Sequence, residues 1–362
     1  MKETAIVYCE GKFGTMDGKT ANGLIRSSRN YEIVGVIDST KVGMDTGYYL
    51  EEKNNGIPFF SDLDSAFEYL PKMPSQFIYG IAPSEGLLKN DERNIVLQAI
   101  ENGLNIINPL HEFFTDDKEF MKNSLKYGVK ITDVRKPAEK KDMHLFSGRI
   151  LNIDTPIVAV LGTDSAVGKR TTSVLLEEAL IDMGLNVAFV ATGQTGLIQG
   201  AKYGVAIDAI PSQFMTGEIE HQIMRAYENE KPDIIIVEGQ GALSHPAYIS
   251  SCGIIRGSRP GSVIVQHPPK RKNLGDFEYM KMPTIESEIE LIEGFSEAKV
   301  IAITINHENM SDNEIQDTIT EYEQKLSLPT TDVLKFGCDK LITTLIEKYP
   351  ELKNKKIEAF VN

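Results

Sequence analysis

Short apolar runs and amphipathic stretches alternate along this chain, and the alternation occurs twice. In the first part the apolar runs are TAIVYC (4–9), YEIVGVID, which ends at Asp38, QFIYGIA (76–82) and NIINP (105–109). The helical pattern ERNIVLQAIENG precedes the last of these runs and stops at Gly103. Strands that alternate with helices build βαβ units around a parallel sheet. The pattern therefore predicts a Rossmann-like domain over residues 1–140.

The second alternation follows a charged segment, KPAEKKDMHLFSGRI (136–150), which we interpret as a linker or a crossing segment. The apolar runs beyond it are PIVAVLG, NVAFVATG, PDIIIVEGQG, GSVIVQHPP and AKVIAITIN. The amphipathic stretches are TTSVLLEEALIDMG, GEIEHQIMRAYENE, TIESEIELIEGF and NEIQDTITEYEQKL. We predict a second domain over residues 141–362, and an α/β fold class with two doubly wound parallel-sheet domains.

The composition excludes several classes of partner. The chain has 362 residues, of which 41% are hydrophobic and 25% are charged, a balance typical of a globular protein. The formal net charge of −14 argues against nucleic acid and against an anionic membrane surface. Cys9, Cys252 and Cys338 form no C-x-x-C pair, so neither a disulfide framework nor a zinc site is indicated. No apolar run approaches the ~20 residues that span a bilayer, and no signal peptide is indicated, so we expect a cytoplasmic protein.

The run GTDSAVGKRTT lies between a predicted strand and a predicted helix. A phosphate-binding loop needs glycines that let backbone N–H groups face phosphate oxygens, a helix N-terminus with its partial positive charge, and a lysine. All three are present, so a turn with an incidental lysine is the weaker interpretation. We predict a P-loop NTPase-like domain whose cofactor contacts are Gly162, Thr163, Asp164, Ser165, Ala166, Val167, Gly168, Lys169, Arg170 and Thr171.

One residue departs from the usual phosphate loop. The residue after the lysine is ordinarily Ser or Thr, whose hydroxyl binds Mg²⁺. Here it is Arg170, and Thr171 follows one position further along the predicted helix. This weakens the case for hydrolysis of Mg-ATP and favours a diphosphate that is anchored rather than cleaved. If a metal is used, its expected ligands are Thr171 and Glu238.

Further candidates follow the other predicted strands. Glu238 ends DIIIVE and precedes two glycines, at the edge where ligands of open α/β sheets bind. It is a candidate metal ligand, substrate ligand or base, and a solvated loop acid is the alternative. The turn TGQTG (192–196) contains Gln194 and Thr195 and also follows a strand. Asn306 ends AKVIAITIN, where its amide suits an adenine edge, although a turn-forming asparagine is an equal interpretation.

These motifs resemble two known groups of proteins. GTDSAVGKRTTS and VEGQGAL are similar to two loops of dethiobiotin synthetase and its P-loop relatives, over short stretches only. A Rossmann-like domain followed by a P-loop domain with GTDSAVGKRTT, ATGQTG and VEGQGALSHP, in this order, resembles a family associated with D-glutamate (D-amino acid) N-acetyltransferases. This second resemblance covers nearly the whole chain. Its motifs are specific for the family and less specific for the substrate.

The resemblance to the N-acetyltransferases implies acetyl-CoA as the donor and the amine of a small amino acid, such as D-glutamate, as the acceptor. CoA carries a 3′-phospho-ADP group, so the P-loop is suited to its diphosphate. Attack on the thioester needs a base and hydrogen-bond donors for the developing oxyanion. Glu238 and His245 are the candidate catalytic residues, with a structural role as the alternative for His245. Backbone N–H groups near Gly239 and Gly241 are candidate oxyanion donors.

Two basic groups are candidates for binding the substrate carboxylates or the CoA 3′-phosphate. Arg271 lies in QHPPKRKN and Arg256 in GIIRGSRPG, and an arginine offers a bidentate contact to such anions. A solvated basic loop is the alternative interpretation for both. The predicted substrate contacts are Gln194, Thr195, Gln240, Arg256 and Arg271.

The N-terminal domain carries weaker signals. Gly11, Gly14 and Gly18 only partly match a phosphate loop, and Asp38 lies where a ribose-binding acid occurs in dinucleotide folds. Because G-x-G-x-x-G is absent, we predict no NAD site. We expect this domain to close over the site of the second domain or to form the interface of a homo-oligomer.

The residues leave two other functions open. The first is an ATP- and Mg²⁺-dependent kinase or ligase similar to dethiobiotin synthetase, with Lys169 on the phosphates and Asn306 on adenine. The second is a nucleotide-binding regulatory protein without catalysis.

Overall fold

The computed structural model describes residues 2–83 and 85–353. Two compact units are present. The first comprises the chain up to Pro137 together with Gln194–Ala201, and the second comprises Ala138–Gly193 and the chain from Lys202 onward. The boundary predicted after residue 140 lies near Pro137, whereas residues 354–362 of the predicted second domain lie outside the described residues.

The first unit is built on a six-stranded sheet. Its strands are β1 (Glu3–Tyr8), β2 (Tyr31–Ile37), β3 (Phe59–Phe60), β4 (Gln76–Tyr79), β5 (Asn105–Asn108) and β6 (Ile131–Asp133). They pair in the order β3-β2-β1-β4-β5-β6, and every neighbouring pair is parallel. This is the doubly wound order of a Rossmann-like domain, as the sequence predicts.

Helices connect these strands. They are α1 (Lys19–Arg26), α2 (Thr46–Glu51), α3 (Leu63–Tyr69), α4 (Arg93–Glu101) and α5 (Lys118–Tyr127). Asp45, Asp62 and Asp117 define the beginnings of α2, α3 and α5, because each side chain accepts a backbone N–H of the first helical turn.

Asp38, directly after β2, uses its carboxylate within its own loop. Its Oδ2 accepts hydrogen bonds from the Phe13 backbone N–H at 3.3 Å and from Lys41 Nζ at 2.8 Å. Its Oδ1 accepts a hydrogen bond from Thr40 Oγ1 at 2.5 Å. The carboxylate that would bind a ribose in a dinucleotide fold therefore stabilises the turn instead.

A short helix from the second half of the chain belongs to the first unit. This helix, α7 (Gln194–Gln199), packs against α1, and Thr195 Oγ1 lies 3.0 Å from Thr20 Oγ1. Gln199 Nε2 donates to the backbone oxygen of Gly23 at 2.8 Å, and Ile198 is buried in the core of this unit. The TGQTG turn is therefore divided between the two units: Thr192 and Gly193 belong to the second unit, and the turn continues from Gln194 in the first unit.

The second unit is built on a seven-stranded sheet. Its strands are β7 (Ile157–Gly162), β8 (Val187–Ala191), β9 (Tyr203–Gly204), β10 (Ile234–Glu238), β11 (Ser262–His267), β12 (Lys299–Ile305) and β13 (Thr330–Thr331). Their order is β13-β12-β11-β7-β10-β8-β9, and all neighbouring pairs are parallel. The prediction of two doubly wound parallel sheets is confirmed.

The helices of this unit are α6 (Lys169–Asp182), α8 (Ser212–Glu230), α9 (Ser250–Ser258), α10 (Ile285–Phe295), α11 (Asp312–Leu326), α12 (Val333–Phe336) and α13 (Asp339–Lys348). Because β7, β8, β10, β11 and β12 are parallel, their carboxyl ends meet at one edge of the sheet, and the loops at that edge carry most of the predicted site.

The segment interpreted as a linker is fixed to α8 by two carboxylates. Glu218 accepts hydrogen bonds from the His144 backbone N–H at 2.6 Å and from its ring Nδ1 at 3.0 Å. Glu220 accepts hydrogen bonds from the Ser147 backbone N–H at 2.6 Å and from its hydroxyl at 2.9 Å. The close approach requires Gly217, since a Cβ there would overlap the backbone of His144.

Two further findings bear on the predictions from composition. Cys9, Cys252 and Cys338 are all free thiols. Among the helices of residues 2–83 and 85–353, none combines the length and the apolar character needed to cross a membrane.

We predict that Gly217→Ala destabilises the second unit, because the added methyl group meets backbone atoms that cannot yield as a flexible side chain would. Overpacking of this kind costs about 1–3 kcal/mol. Gly294→Ala in α10 is the matched control, since open space surrounds its Cβ position and alanine favours helix by about 0.5–1 kcal/mol. Thermal unfolding midpoints check the pair, and an unchanged or higher midpoint for Gly217→Ala would contradict the packing described here.

Candidate active site

The phosphate-binding loop connects β7, a fully buried central strand, to α6. Five residues separate Gly162 from Gly168, one more than in the G-x-x-x-x-G-K pattern. Ala166 adopts a left-handed φ of 49° and Gly168 a φ of 111°. These positive φ values turn the chain sharply before α6 begins at Lys169, so the loop faces the helix N-terminus.

Gln266, near the end of β11, holds the P-loop in place through hydrogen bonds. It was not among the candidate residues predicted from the sequence. Its backbone oxygen accepts a hydrogen bond from the Thr163 N–H at 3.1 Å and lies 2.7 Å from the position of a Cβ on Gly162. Its side-chain Oε1 accepts hydrogen bonds from Thr172 Oγ1 at 2.6 Å and from Thr304 Oγ1 at 2.5 Å. The close approach of the neighbouring strand β11 therefore requires glycine at position 162.

Lys169 is the first residue of α6 and is almost completely buried. Its Nζ donates to the backbone oxygen of Asp164 at 2.5 Å, so the side chain curls back over the loop. The ammonium group and the partial positive charge of the helix N-terminus thus occupy the same region, which favours an anion there.

Asp164 joins the P-loop to the loop that follows β11. Its side chain is fully buried, and its Oδ2 accepts hydrogen bonds from Arg271 Nη1 at 2.8 Å and from the Gly275 N–H at 2.9 Å. Arg271 also binds both carboxylate oxygens of Glu308 at 2.8 Å and donates to the Ser165 backbone oxygen at 3.0 Å. Arg271, predicted as a substrate contact, therefore directs most of its N–H groups to the protein itself.

Asn306, predicted as an adenine contact, also holds the loop in this structure. Its Nδ2 donates to the Val167 backbone oxygen at 3.1 Å, and its Oδ1 accepts a hydrogen bond from the Glu308 N–H at 3.1 Å. The adenine assignment stays a prediction. In the structure the amide nitrogen and the amide oxygen of Asn306 each form a hydrogen bond with the backbone.

A second connection to the P-loop passes through Asp276. Its Oδ2 accepts hydrogen bonds from Ser165 Oγ at 2.8 Å and from Tyr248 Oη at 2.5 Å. One carboxylate therefore links the P-loop, the loop after β10 and the loop after β11. Neither Asp276 nor Tyr248 was selected from the sequence, because each lies in a loop without periodicity.

Glu238, the last residue of β10, is buried beside the P-loop. Its Oε2 accepts hydrogen bonds from the backbone N–H groups of Thr192 at 3.0 Å and Gly193 at 3.3 Å. Burial raises the pKa of Glu238, and the positive charge of Arg170 is the strongest opposing influence. Gln240, two residues on, donates from Nε2 to Thr192 Oγ1 at 3.2 Å and is partly exposed.

His245 is completely enclosed by protein. Its Nδ1 accepts a hydrogen bond from the Ala247 N–H at 3.2 Å, and its Nε2 lies 3.6 Å from Asp164 Oδ1. Burial lowers the pKa of His245, so the ring is neutral at pH 7, and with Nδ1 as acceptor the proton resides on Nε2. The base role of His245 stays a prediction, and this geometry fits a positioning role better because neither nitrogen offers a free lone pair.

The backbone before His245 is fixed by Glu288 of α10, another residue not selected from the sequence. Its side chain accepts hydrogen bonds from the Leu243 N–H, from the Ser244 N–H at 3.4 Å and from Ser244 Oγ at 2.6 Å. Burial raises the pKa of Glu288. The N–H groups of Leu243 and Ser244 are therefore occupied and are not oxyanion donors in this conformation.

Three predicted substrate residues are not brought to the P-loop within the second unit. Gln194 and Thr195 belong to α7 of the first unit, where Thr195 contacts Thr20. Arg256 lies in the last turn of α9 and stacks over the Phe295 ring at 4.8 Å. The chain after α9 meets the beginning of β7, so Arg256 lies toward the edge of the sheet opposite the P-loop.

The two predicted metal ligands differ in their surroundings. Glu238 is committed to two backbone N–H groups, and Thr171 is partly exposed in the first turn of α6. Within residues 2–83 and 85–353, no group of three or more His, Cys, Asp or Glu side chains is arranged to hold a metal ion.

We predict that Arg271→Ala strongly destabilises the second unit, because Asp164 would remain buried without its cation. Breaking one partner of a buried ion pair costs about 3–5 kcal/mol. Arg149→Ala is the matched control, since Arg149 pairs with Glu228 on the surface and such pairs contribute about 0–1 kcal/mol. The free energy of unfolding from urea titrations checks both variants, and equal losses would show that the buried pair has no special weight.

Comparison with known proteins agrees with this architecture. A family model described as "Domain of unknown function (DUF1611_C) P-loop domain" matches residues 144–342, and one described as "Domain of unknown function (DUF1611_N) Rossmann-like domain" matches residues 39–137. A protein named D-glutamate N-acetyltransferase from Pseudoalteromonas sp. is 32% identical over 276 residues, which cover 74% of this chain and 80% of that protein. A protein of the same name from Tritonibacter scottomollicae is 25% identical over 274 residues, with the same two coverages.

A solved structure extends the similarity to the whole fold. The crystal structure of a DUF1611 family protein from Anabaena variabilis matches with a TM-score of 0.87 and 29% identity, and the match covers 96% of this chain and 100% of that one. The resemblance stated from the sequence motifs is thereby confirmed. This chain belongs to the DUF1611 family, in which a Rossmann-like domain is followed by a P-loop domain.

Proposed function

We propose that this chain is an N-acetyltransferase that transfers the acetyl group of acetyl-CoA to the amine of a small acidic D-amino acid such as D-glutamate. Two relatives bear the name D-glutamate N-acetyltransferase, and the match to each covers 80% of the relative's length, which supports an acyltransferase. The names alone support the chirality and the acidic side chain of the acceptor. The chain's own residues support separate roles for Glu238 as the base and for the P-loop as the anchor of CoA.

The observation that carries the proposal is the buried carboxylate of Glu238 at the carboxyl end of β10, next to the P-loop. An amino acid enters as an ammonium ion and must lose a proton before its nitrogen attacks a thioester. A carboxylate whose pKa is raised by burial is a stronger base than an exposed one. Glu238 is therefore our candidate base.

The P-loop is our candidate anchor for the CoA diphosphate. The N-terminus of α6 and the Lys169 ammonium already favour an anion at this place. A bound phosphate would replace the Asp164 backbone oxygen as the partner of Lys169 Nζ. No phosphoryl group needs to be transferred, so this anchor acts by orientation rather than by chemistry.

The reaction then forms one bond and breaks one bond at the acetyl carbon. The deprotonated nitrogen attacks the thioester carbonyl, a C–N bond forms, and the C–S bond breaks as the CoA thiolate leaves. One ammonium proton passes to Glu238 and on to solvent, and a second proton ends on the departing thiol. The rigid support from Glu288 and His245 keeps the loop after Glu238 in place during these steps.

The direct test supplies acetyl-CoA and a panel of D- and L-amino acids and follows release of free thiol. We predict acetylation of D-glutamate with a rate well above that of L-glutamate and of neutral D-amino acids. Mass spectrometry of the product confirms N-acetylation. Thiol release that does not depend on any amino acid would contradict the proposed function.

We predict that Glu238→Gln lowers kcat by about 10²–10⁴-fold, the usual contribution of a general base, while CoA affinity changes little. In the wild-type enzyme, kcat/KM rises as pH increases through the raised pKa of Glu238, and the variant loses this limb. The folded state binds the Glu238 proton more tightly than the unfolded state, so ionisation destabilises the fold as pH rises above the unfolded pKa. Glu238→Gln should therefore unfold at no lower temperature than wild type at pH 7.

Two results would contradict this assignment. One is a Glu238→Gln variant with the wild-type rate and pH profile. The other is an inactive variant whose unfolding temperature is also much lower, since its inactivity would then reflect a loss of structure.

A further inference from the structure

Phosphate loops of nucleoside triphosphatases hold Mg²⁺ between two positions. One is the hydroxyl directly after the loop lysine, and the other is an acid at the end of a neighbouring strand. In this chain the first position is Arg170, the second residue of α6, and the second position is Glu238, the last residue of β10. β10 pairs directly with β7, which leads into the loop. Arg170 and Glu238 therefore occupy the two sequence positions whose side chains bind Mg²⁺ in those proteins.

Arg170 and Glu238 interact electrostatically. Burial raises the pKa of Glu238, and among the charges that oppose this effect Arg170 is stronger than Lys169. Arg170 is only partly exposed, so its charge acts in a region of low dielectric constant. A guanidinium stays charged at every physiological pH. A permanent positive charge therefore acts on Glu238, the acid that would help to bind the cation in a metal-dependent P-loop protein.

The donor set fits a divalent cation poorly. Mg²⁺ demands oxygen ligands in near-octahedral geometry, and a guanidinium has no acceptor to offer. Glu238 Oε2 already accepts two backbone N–H hydrogen bonds. Thr171, the next hydroxyl, starts about 100° further around the helix than Arg170, since an α-helix has 3.6 residues per turn. The position that usually supplies the metal ligand is therefore filled by a cation.

We propose that Arg170 takes the place of the divalent cation, so that this P-loop binds the diphosphate of CoA without Mg²⁺. The inference rests on the proposed function, because it takes CoA as the ligand. Lys169, Arg170 and the N-terminus of α6 are the positive groups that this arrangement directs toward the diphosphate.

The presence of Arg170 in place of the usual Ser or Thr also affects which ligand is preferred, CoA or Mg-ATP. The diphosphate diester of CoA carries less negative charge than the triphosphate of ATP, so we expect fixed protein cations to suffice to neutralise it. Mg-ATP, in contrast, would bring its metal ion toward the Arg170 guanidinium, and two cations in a region of low dielectric constant repel each other. Arg170 therefore favours CoA and disfavours Mg-ATP at one position.

The test measures CoA binding by isothermal titration calorimetry, with the full chain in EDTA and again in excess Mg²⁺. We expect wild-type affinities within about twofold of each other. Arg170→Thr, which restores the usual hydroxyl, should bind CoA about tenfold more weakly in EDTA or worse, since a charge-assisted hydrogen bond is worth about 1.5–3 kcal/mol and 1.4 kcal/mol is a factor of ten. Arg149→Thr, an arginine on the surface of the same unit, should keep the wild-type affinity in both buffers.

The possible outcomes separate the inference from the proposed function. Wild-type binding that disappears in EDTA and returns with Mg²⁺ would overturn the inference, and so would full CoA affinity of Arg170→Thr in EDTA. Because the first of these results uses unaltered protein, it does not depend on whether the variant folds. If wild type binds no CoA in either buffer, or Lys169→Ala binds it as tightly as wild type, the P-loop assignment of the proposed function fails instead.

Discussion

The ion pair between Asp164 and Arg271 is the contact on which the candidate site depends. Asp164 is fully buried inside the P-loop, and an isolated carboxylate there would be strongly destabilising. Arg271 compensates the charge at 2.8 Å and donates to the Ser165 carbonyl of the same loop. Through Glu308 it also joins the loop that follows β11 to the loop that follows β12. The shape of the phosphate loop is therefore set by the protein before a ligand binds, which reduces the ordering that binding requires.

Burial favours the neutral form of four ionisable groups around this loop. It raises the pKa of Glu238 and of Glu288, and it lowers the pKa of His245 and that of His267, the latter to about 4. Each shift favours the neutral form, because the charged form loses its hydration. The guanidinium of Arg170 keeps its charge and, together with the Lys169 ammonium, provides electrostatic attraction for an anion near the start of α6, even though the whole chain is strongly acidic.

The sequence predicted what depends on local pattern. A strand appears at each apolar run, whereas the short strands β3, β6, β9 and β13 were not predicted. Glu238 and the P-loop lie at the same edge because a parallel sheet brings the carboxyl ends of its strands together. The partners of these residues depend on distant parts of the chain: Arg271 is 107 residues from Asp164, and Glu288 is 44 residues from Ser244. No periodicity encodes such pairs, so the sequence did not reveal which side chains in the connecting loops hydrogen-bond to one another.

Two further candidates lie in helices that the sequence pattern did not predict. Thr195 lies in a small-residue turn after a strand, which is a ligand-binding signal, yet the six residues of α7 pack on α1 in the first unit. Arg256 lies near glycines in the sequence, but it occupies the last turn of α9, and a helix after a parallel strand runs back to the opposite edge of the sheet. The residues that surround a side chain in the sequence therefore indicate which ligands it could bind. The helix or strand that carries the side chain determines where in the fold it lies.

Under the proposed function, binding and catalysis belong to different groups of one loop cluster. Contacts of Lys169 and α6 to a diphosphate would be equally strong in the ground state and the transition state, since the diphosphate does not react. Such uniform binding lowers KM and leaves kcat unchanged. Rate acceleration must then come from groups whose interactions strengthen as the C–N bond forms, and the proposed function gives this role to Glu238, whose pKa is raised by burial. A P-loop can therefore serve acyl transfer without its phosphoryl chemistry, provided that the residue at the strand end beside it acts as a base and not as a metal ligand.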